Sequence, residues 1–273
     1  MQLIDTHCHI HDSEMAKKYD VSQDELLQAA HYDGVEQLIM IGTDVQSSAE
    51  AVQFVADHDT CYATLAIHPH EAAHMDTKLM NDAMSELRGL YKPGGRVVAI
   101  GECGLDYYYH DDVAVKDRQK QLFRSHIELA LELGLPLSFH IRNQQDVGVV
   151  STAFDDFFAI IDEYEGVRGV VHSFTAGTDE LQGCVDRGLY IGLNGIMTFT
   201  TDQQQLAAAE AAPLQQIVLE TDAPFLTPKP FRGKMCEPKH VRVTAEFLSN
   251  LRGESLDDFA AATTANARKL FGI

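Results

Sequence analysis

The sequence has no cysteine framework. Cys8, Cys61, Cys103, Cys184 and Cys236 are odd in number, scattered, and never spaced C-x-x-C. That pattern fits reduced thiols and argues against a disulfide scaffold or a cysteine zinc site. Basic residues are also scarce, with 21 Lys and Arg against 41 Asp and Glu, a formal net charge of −20. A protein that coats nucleic acid regardless of sequence needs a broad basic field, so that class is disfavoured. An enzyme that grips phosphate with metal ions and one local basic patch is still allowed. No apolar run approaches the roughly 20 residues of a membrane span, and the first residues lack the basic and apolar regions of a secretory signal. The expectation is a cytoplasmic, monomeric chain with no membrane contact and no obligate partner. Neither a P-loop nor H-E-x-x-H occurs, no Gly-rich turn follows the first strand, and Ser173 beside His172 has no nucleophile-elbow context.

What the chain does have is an alternation of apolar strands and amphipathic helices. Strands are predicted at 3–5, 37–41, 61–68, 97–102, 137–141, 169–174, 189–193 and 217–221. Most are continuous apolar runs, as expected of parallel strands covered on both faces. Helices are predicted at 22–32, 47–58, 77–90, 115–133, 147–164, 179–187, 202–211, 241–251 and from 255 to near 271. Ser22 to Glu25 reads as a capping box, and Gly134 and Pro136 end the long central helix. Eight such pairs in 273 residues predict an α/β fold, a single (β/α)8 barrel spanning 1–273 as one domain. A doubly wound open sheet is the alternative.

The opening strand carries the first chemistry. With side chains alternating at period two, Asp5, His7 and His9 share one face. Further polar residues recur at the carboxyl ends of later strands: His68 and His70 after the third, Glu102 after the fourth, His140, His172 and Asp222 after the fifth, sixth and eighth. In a barrel all of these ends open on one rim, where active sites form. Four imidazoles (His7, His9, His140, His172) and two carboxylates (Glu102, Asp222) suit divalent transition ions better than Mg²⁺. Glu102, near the axis, could bridge two ions about 3.5–4 Å apart. A single ion with spare histidines is the simpler arrangement.

These residues lie in motifs that resemble the TatD family of metal-dependent deoxyribonucleases, within the amidohydrolase superfamily. The motifs are D-T-H-C-H (5–9), I-H-P-H (67–70), G-E-C-G-L-D-Y (101–107), F-H-I-R (139–142), V-H-S-F (171–174), E-T-D-A-P-F-L (220–226), R-G-K-x-x-E-P (232–238) and A-N-A-R-K-L-F (265–271). The resemblance implies one ion on His7, His9, Glu102 and Asp222 and a second on Glu102, His140 and His172. The metal is left open among Zn, Mg and Mn. It further implies that Asp222 takes a proton from the attacking water and that His68 faces the substrate phosphate or product oxygen. The implied activity is 3′–5′ exonuclease-like hydrolysis of phosphodiesters at nucleic-acid ends, in DNA and sometimes RNA. The alternative is an ester or amide hydrolase of the amidohydrolase type, including a D-aminoacyl-tRNA deacylase. Ala66, the Ile141–Gln144 stretch and Met235-Cys236 depart from the family's usual residues without touching the metal-binding positions.

Substrate contacts are expected from His70 and Arg142, and from a basic segment after Asp222. Residues 229–242 hold Lys229, Arg232, Lys234, Lys239 and Arg242, where Arg232 could fork onto a phosphate and Lys234 add a point charge. Tyr107, Tyr108 and Tyr109 follow the Glu102 strand, and Phe231 lies in the basic loop. Their rings could stack bases or pack the loops themselves.

Overall fold

Continuous apolar runs form central strands here because both pleat faces are covered. The computed structural model describes residues 1–109, 112–144 and 152–273. Its order is β1 (Leu3–Cys8), α1 (Ser13–Tyr19), α2 (Gln23–Tyr32), β2 (Val35–Met40), α3 (Val45–Ala56), β3 (Cys61–Leu65), α4 (Thr77–Leu90) and β4 (Val97–Asp106). There follow α5 (Val113–Leu133), β5 (Leu137–Arg142), α6 (Ala153–Ile161), β6 (Gly169–Val171), α7 (Thr178–Asp186), β7 (Tyr190–Leu193), α8 (Gln203–Ala211), β8 (Ile217–Leu219), α9 (Val241–Arg252) and α10 (Leu256–Phe271).

Each strand pairs in parallel with the next, from β1 through β8. The seam between β8 and β1 has one bridge, Cys8 to Ala223. It is reinforced where Thr6 Oγ1 donates to the Leu219 carbonyl at 3.0 Å. The His9 and Asp222 N–H groups donate across it to Ala223 and His7 carbonyls at 2.7 and 2.8 Å. The result is a nearly closed barrel of eight parallel strands alternating with helices.

Two apolar layers hold it. Ile4, Ile39, Val98, Val170 and Val218 fill one cluster together with Leu270 and Phe271 of α10. α10 lies across the amino-terminal ends of the strands, where Thr264 Oγ1 donates to the Gln2 carbonyl and Arg168 Nη1 to the Leu270 carbonyl, both at 2.9 Å. The larger cluster packs the opposite strand face against the helices, with Phe123, Phe139 and Phe157 wholly buried in edge and stacked contacts 5.0 to 5.9 Å apart. Side-chain caps from Asp12, Ser22, Asp44, Asp76, Asp112, Thr152, Asp202 and Ser255 start the helices, each satisfying an N–H the helix leaves open.

All eight predicted strands are present, with shifted ends. β1 continues to Cys8 and β4 to Asp106. β4 runs on because its ladder with β5 resumes at Cys103–Phe139 and continues to Asp106–Arg142. β6 stops at Val171, two residues before Ser173 takes a positive φ of 48°. α1 has no counterpart in the sequence reading: only Met15 of its seven residues is buried, so it carries no apolar stripe. The first five residues of the helix predicted at 147–164 lie outside the described residues.

Candidate metal centre

Glu102 sits where four imidazoles meet. Its Oε1 is 2.5 Å from His140 Nδ1, 3.5 Å from His172 Nε2 and 3.6 Å from His68 Nε2, while Oε2 is 3.4 Å from His7 Nε2. The glycine before it makes this possible. Gly101 has φ 151°, and a Cβ there would stand 2.5 Å from the Ser138 carbonyl oxygen, so a larger residue would push β4 away from β5.

β1 delivers His7 to the same point. The His7 ring stacks on His172, centroids 3.5 Å apart and planes 16° apart. Both His7 nitrogens are buried without a hydrogen-bond partner. Such groups are costly unless something occupies their lone pair. Nε2 points between Glu102 and Asp222, with Asp222 Oδ1 3.6 Å away, and the same Oδ1 is 3.3 Å from His9 Nε2. Asp222 stands in the left-handed region at φ 59°, uncommon for a residue with a side chain.

Asp5 turns elsewhere. It accepts from the Thr221 N–H at 2.9 Å and the Thr221 hydroxyl at 2.6 Å, bracing the chain as it leaves β8. The shared face expected for Asp5, His7 and His9 does not extend through all three, because the β1–β2 register breaks between Asp5 and Cys8 and His9 lies past the strand. Burial pushes the Asp5 carboxyl up to about 8 against the pull of those hydrogen bonds.

Two carboxylates that sequence reasoning did not single out hold the histidines from behind. Asp106 Oδ2 is 2.9 Å from both His140 Nε2 and His70 Nε2. Glu220 Oε1 is 3.0 Å from His172 Nδ1 and accepts from the Ser173 N–H at 2.6 Å and Asn194 Nδ2 at 3.3 Å. Gly192 leaves Glu220 its space, since a Cβ there would collide with the carboxylate. The available signal was spacing: Asp106 and Glu220 sit four residues after Glu102 and two before Asp222. Carboxylates behind a ligating imidazole fix its orientation and raise its basicity. Glu220→Gln is expected to weaken metal affinity about 10- to 100-fold while leaving the circular dichroism spectrum unchanged, as metal titration would show.

The charges in this nest are mutually dependent. Burial opposes ionisation of Glu102, yet His172, His140 and His68 hold its carboxyl well below the usual range. Burial likewise opposes a charge on His140, but Glu102 and Asp106 raise it to about 9. Burial is again opposed at His172, where Glu220 and Glu102 raise the ring to about 10. An ionised carboxylate only accepts, so His140, flanked by Glu102 and Asp106, carries a proton on each nitrogen. His68 is pushed down to about 4 by burial. A metal ion must displace the protons of His140 and His172. Affinity should therefore rise as pH climbs from 7 toward 9, with at least about two protons released per chain at pH 7. His9, where burial is overcome by Asp222 and the ring is also shifted upward, adds to that release. Calorimetry in buffers of different ionisation enthalpy measures that number.

The donors suit divalent ions. Atoms of His7, His9 and Asp222 lie within 4.8 Å of one another, as do those of His68, Glu102 and His140, and those of His7, His172 and Glu220. A cavity of about 660 Å³ opens above them, lined by His9, His68, His70, Glu102, His140, Arg142, His172 and Asp222 among others. His7 is wholly buried and is not part of that lining.

Three predicted substrate contacts do not line this cavity. Tyr107 is buried, its hydroxyl donating to Asp156 at 2.6 Å with Lys116 over its ring. It packs against α5 and α6 and is not available to a substrate. Tyr107→Phe should cost about 1 kcal/mol of stability and leave turnover unchanged, testable by urea melts beside a rate assay. Arg232 lies over the Phe199 ring at 3.8 Å and donates to the Thr227 carbonyl at 3.0 Å. Lys234 is exposed, its carbonyl accepting from the Thr227 hydroxyl. Phe231 stacks on His240.

A sequence model described as TatD related DNase matches residues 4–272 of the chain. The chain belongs to the TatD family. Among curated relatives, this TatD-family chain is 33% identical over 273 residues to the uncharacterized metal-dependent hydrolase YabD of Bacillus subtilis, covering 99% of each. It is 31% identical to the 3′-5′ ssDNA/RNA exonuclease TatD of Citrobacter rodentium, covering 99% of this chain and 98% of that one. Among solved structures, YJJV, a TatD homolog from Escherichia coli K12, superposes with a TM-score of 0.86 at 26% identity, covering 99% and 98%. The chain is thus a TatD-family metal-dependent hydrolase, and its clustered histidines and acids fit metal binding.

Proposed function

We propose that this hydrolase trims nucleic-acid ends, cleaving phosphodiesters from the 3′ side by hydrolysis, with two divalent ions that its clustered histidines and acids would hold. The observation that carries the reading is Glu102, whose two oxygens face different donor groups: Oε2 faces His7 of the His7, His9 and Asp222 group, and Oε1 faces His140, His172 and His68. One set would use His7, His9, Asp222 and Glu102, the other Glu102, His140 and His172. Divalent ions there would supply Lewis acidity, acidifying water and neutralising phosphoryl charge.

The chain's own groups do the rest. Asp222 is held ionised by His9, His172 and His7 despite burial, and its carboxylate borders the cavity, where it accepts the proton of the attacking water. His68, neutral near pH 7, faces the cavity from the Glu102 side and can hydrogen-bond a phosphate oxygen. Arg142 and His70 line the same wall and orient the strand. Exonuclease is also the activity named for the Citrobacter rodentium relative.

The test is a 5′-labelled single-stranded oligonucleotide incubated with metal-loaded protein. The expected product is a ladder shortening from the 3′ end. An unshortened oligonucleotide, with the full complement of metal verified, overturns the reading. Release of the amino acid from D-aminoacyl-tRNA beside intact DNA would favour ester hydrolysis instead.

A further inference from the structure

Most exposed large apolar side chains of the described residues are scattered, but two stand on the cavity. Tyr109 is 61% and Phe225 53% exposed, and both line the space above the metal donors. Their placement follows from topology. Tyr109 lies in the segment after β4 and Phe225 in the segment after β8. Strand order in the barrel is sequential, so β4 and β8 are four strands apart and face each other across the axis. Each ring meets a histidine on its own side. Phe225 is edge-on to His9 at 6.2 Å and Tyr109 edge-on to His70 at 5.4 Å.

Both rings are held by their surroundings. The Phe225 N–H donates to the Asp222 carbonyl at 2.8 Å, closing a turn that ties the ring to a residue of the donor cluster. Tyr109 packs edge-on to Tyr108 at 4.6 Å, and the Arg142 guanidinium lies 3.7 Å from the Tyr108 ring centre and 5.3 Å from that of Tyr109. Arg142 forms no ion pair among the described residues, although acids outnumber bases two to one in this chain. A guanidinium at the cavity wall suits a phosphate, and Arg142 lines that wall.

We infer that Tyr109 and Phe225 are stacking platforms for two unpaired nucleobases, one on each side of the scissile phosphate, with Arg142 gripping an adjoining phosphate on the Tyr109 side. The inference rests on the nucleic-acid reading above and narrows it. Stacking needs a free base face, so the site takes single strands or frayed ends and rejects a closed duplex. Two rings on opposite sides of the clusters also require a substrate that extends both ways from the cleaved bond. A compact ester fills one side only.

The test uses the full chain and an oligonucleotide carrying 2-aminopurine at its last two positions, whose fluorescence is quenched when the base stacks. Binding to metal-free wild type should quench it, and Phe225→Ala and Tyr109→Ala should each relieve part of that quench. In metal-loaded protein each variant should raise KM about 10-fold or more with metal content unchanged, and Phe225→Tyr should restore it. On an oligonucleotide abasic at those positions, wild type and both alanine variants should behave alike. Equal quench and equal KM in the variants overturn the inference, as does an equal loss on the abasic strand. Quenching without cleavage by metal-loaded wild type leaves the platforms standing and removes the hydrolytic reading. Neither binding nor cleavage of any strand removes both.

Discussion

Metal analysis of Glu102→Ala is expected to find the protein stripped at both positions, with phosphodiester turnover at least about 1,000-fold down. The reasoning is geometric. No other carboxylate of the described residues touches His7, His68, His140 and His172 together, so its loss opens both donor groups at once. The metal-free fold gives a second readout. Removing one partner of a buried charged pair commonly costs about 3–5 kcal/mol. His140 and His172 can shed part of that cost by losing their protons. Glu102→Gln separates shape from charge, because it keeps the volume and loses the anion. Wild-type metal content in Glu102→Ala would show that the carboxylate does not join the two groups.

Asp222→Asn is expected to keep most of the metal and lose about 100- to 10,000-fold in kcat, the span typical of a general base. Asparagine retains a carbonyl oxygen near His9 and His7 but accepts no proton at neutral pH. KM should move little, because the loss falls on the transition state. Single-turnover rates with matched metal occupancy make the comparison. A variant that loses metal and rate in proportion would reduce Asp222 to a ligand.

Most of the architecture was legible because apolar runs, turn residues and caps agree along the chain. α4 begins and ends where its periodicity does, since Asp76 and the apolar stripe both mark it. The donor histidines were legible for a related reason: each lies near the carboxyl end of a strand or just past it, and the ends of parallel strands converge. What lay behind them was not. Asp106 and Glu220 lay inside two of the motifs without a role, and only three-dimensional adjacency shows that each faces the far nitrogen of a histidine. Tyr107 was left between two destinations, because a ring after an active-site strand can stack a base or pack against the scaffold. Its partner, Asp156, is 49 positions away. Arg232 sat in a convincing basic stretch, yet the fold turns its guanidinium onto Phe199. Local composition cannot specify which way a loop folds back.

The position of α10 has a consequence for how the centre is held. Leu270 and Phe271 plug the end of the barrel remote from the histidines. The donors stand on the far rim, so their mutual placement is inherited from strands that this helix braces from below. The centre thus owes its shape to packing that touches none of its donors.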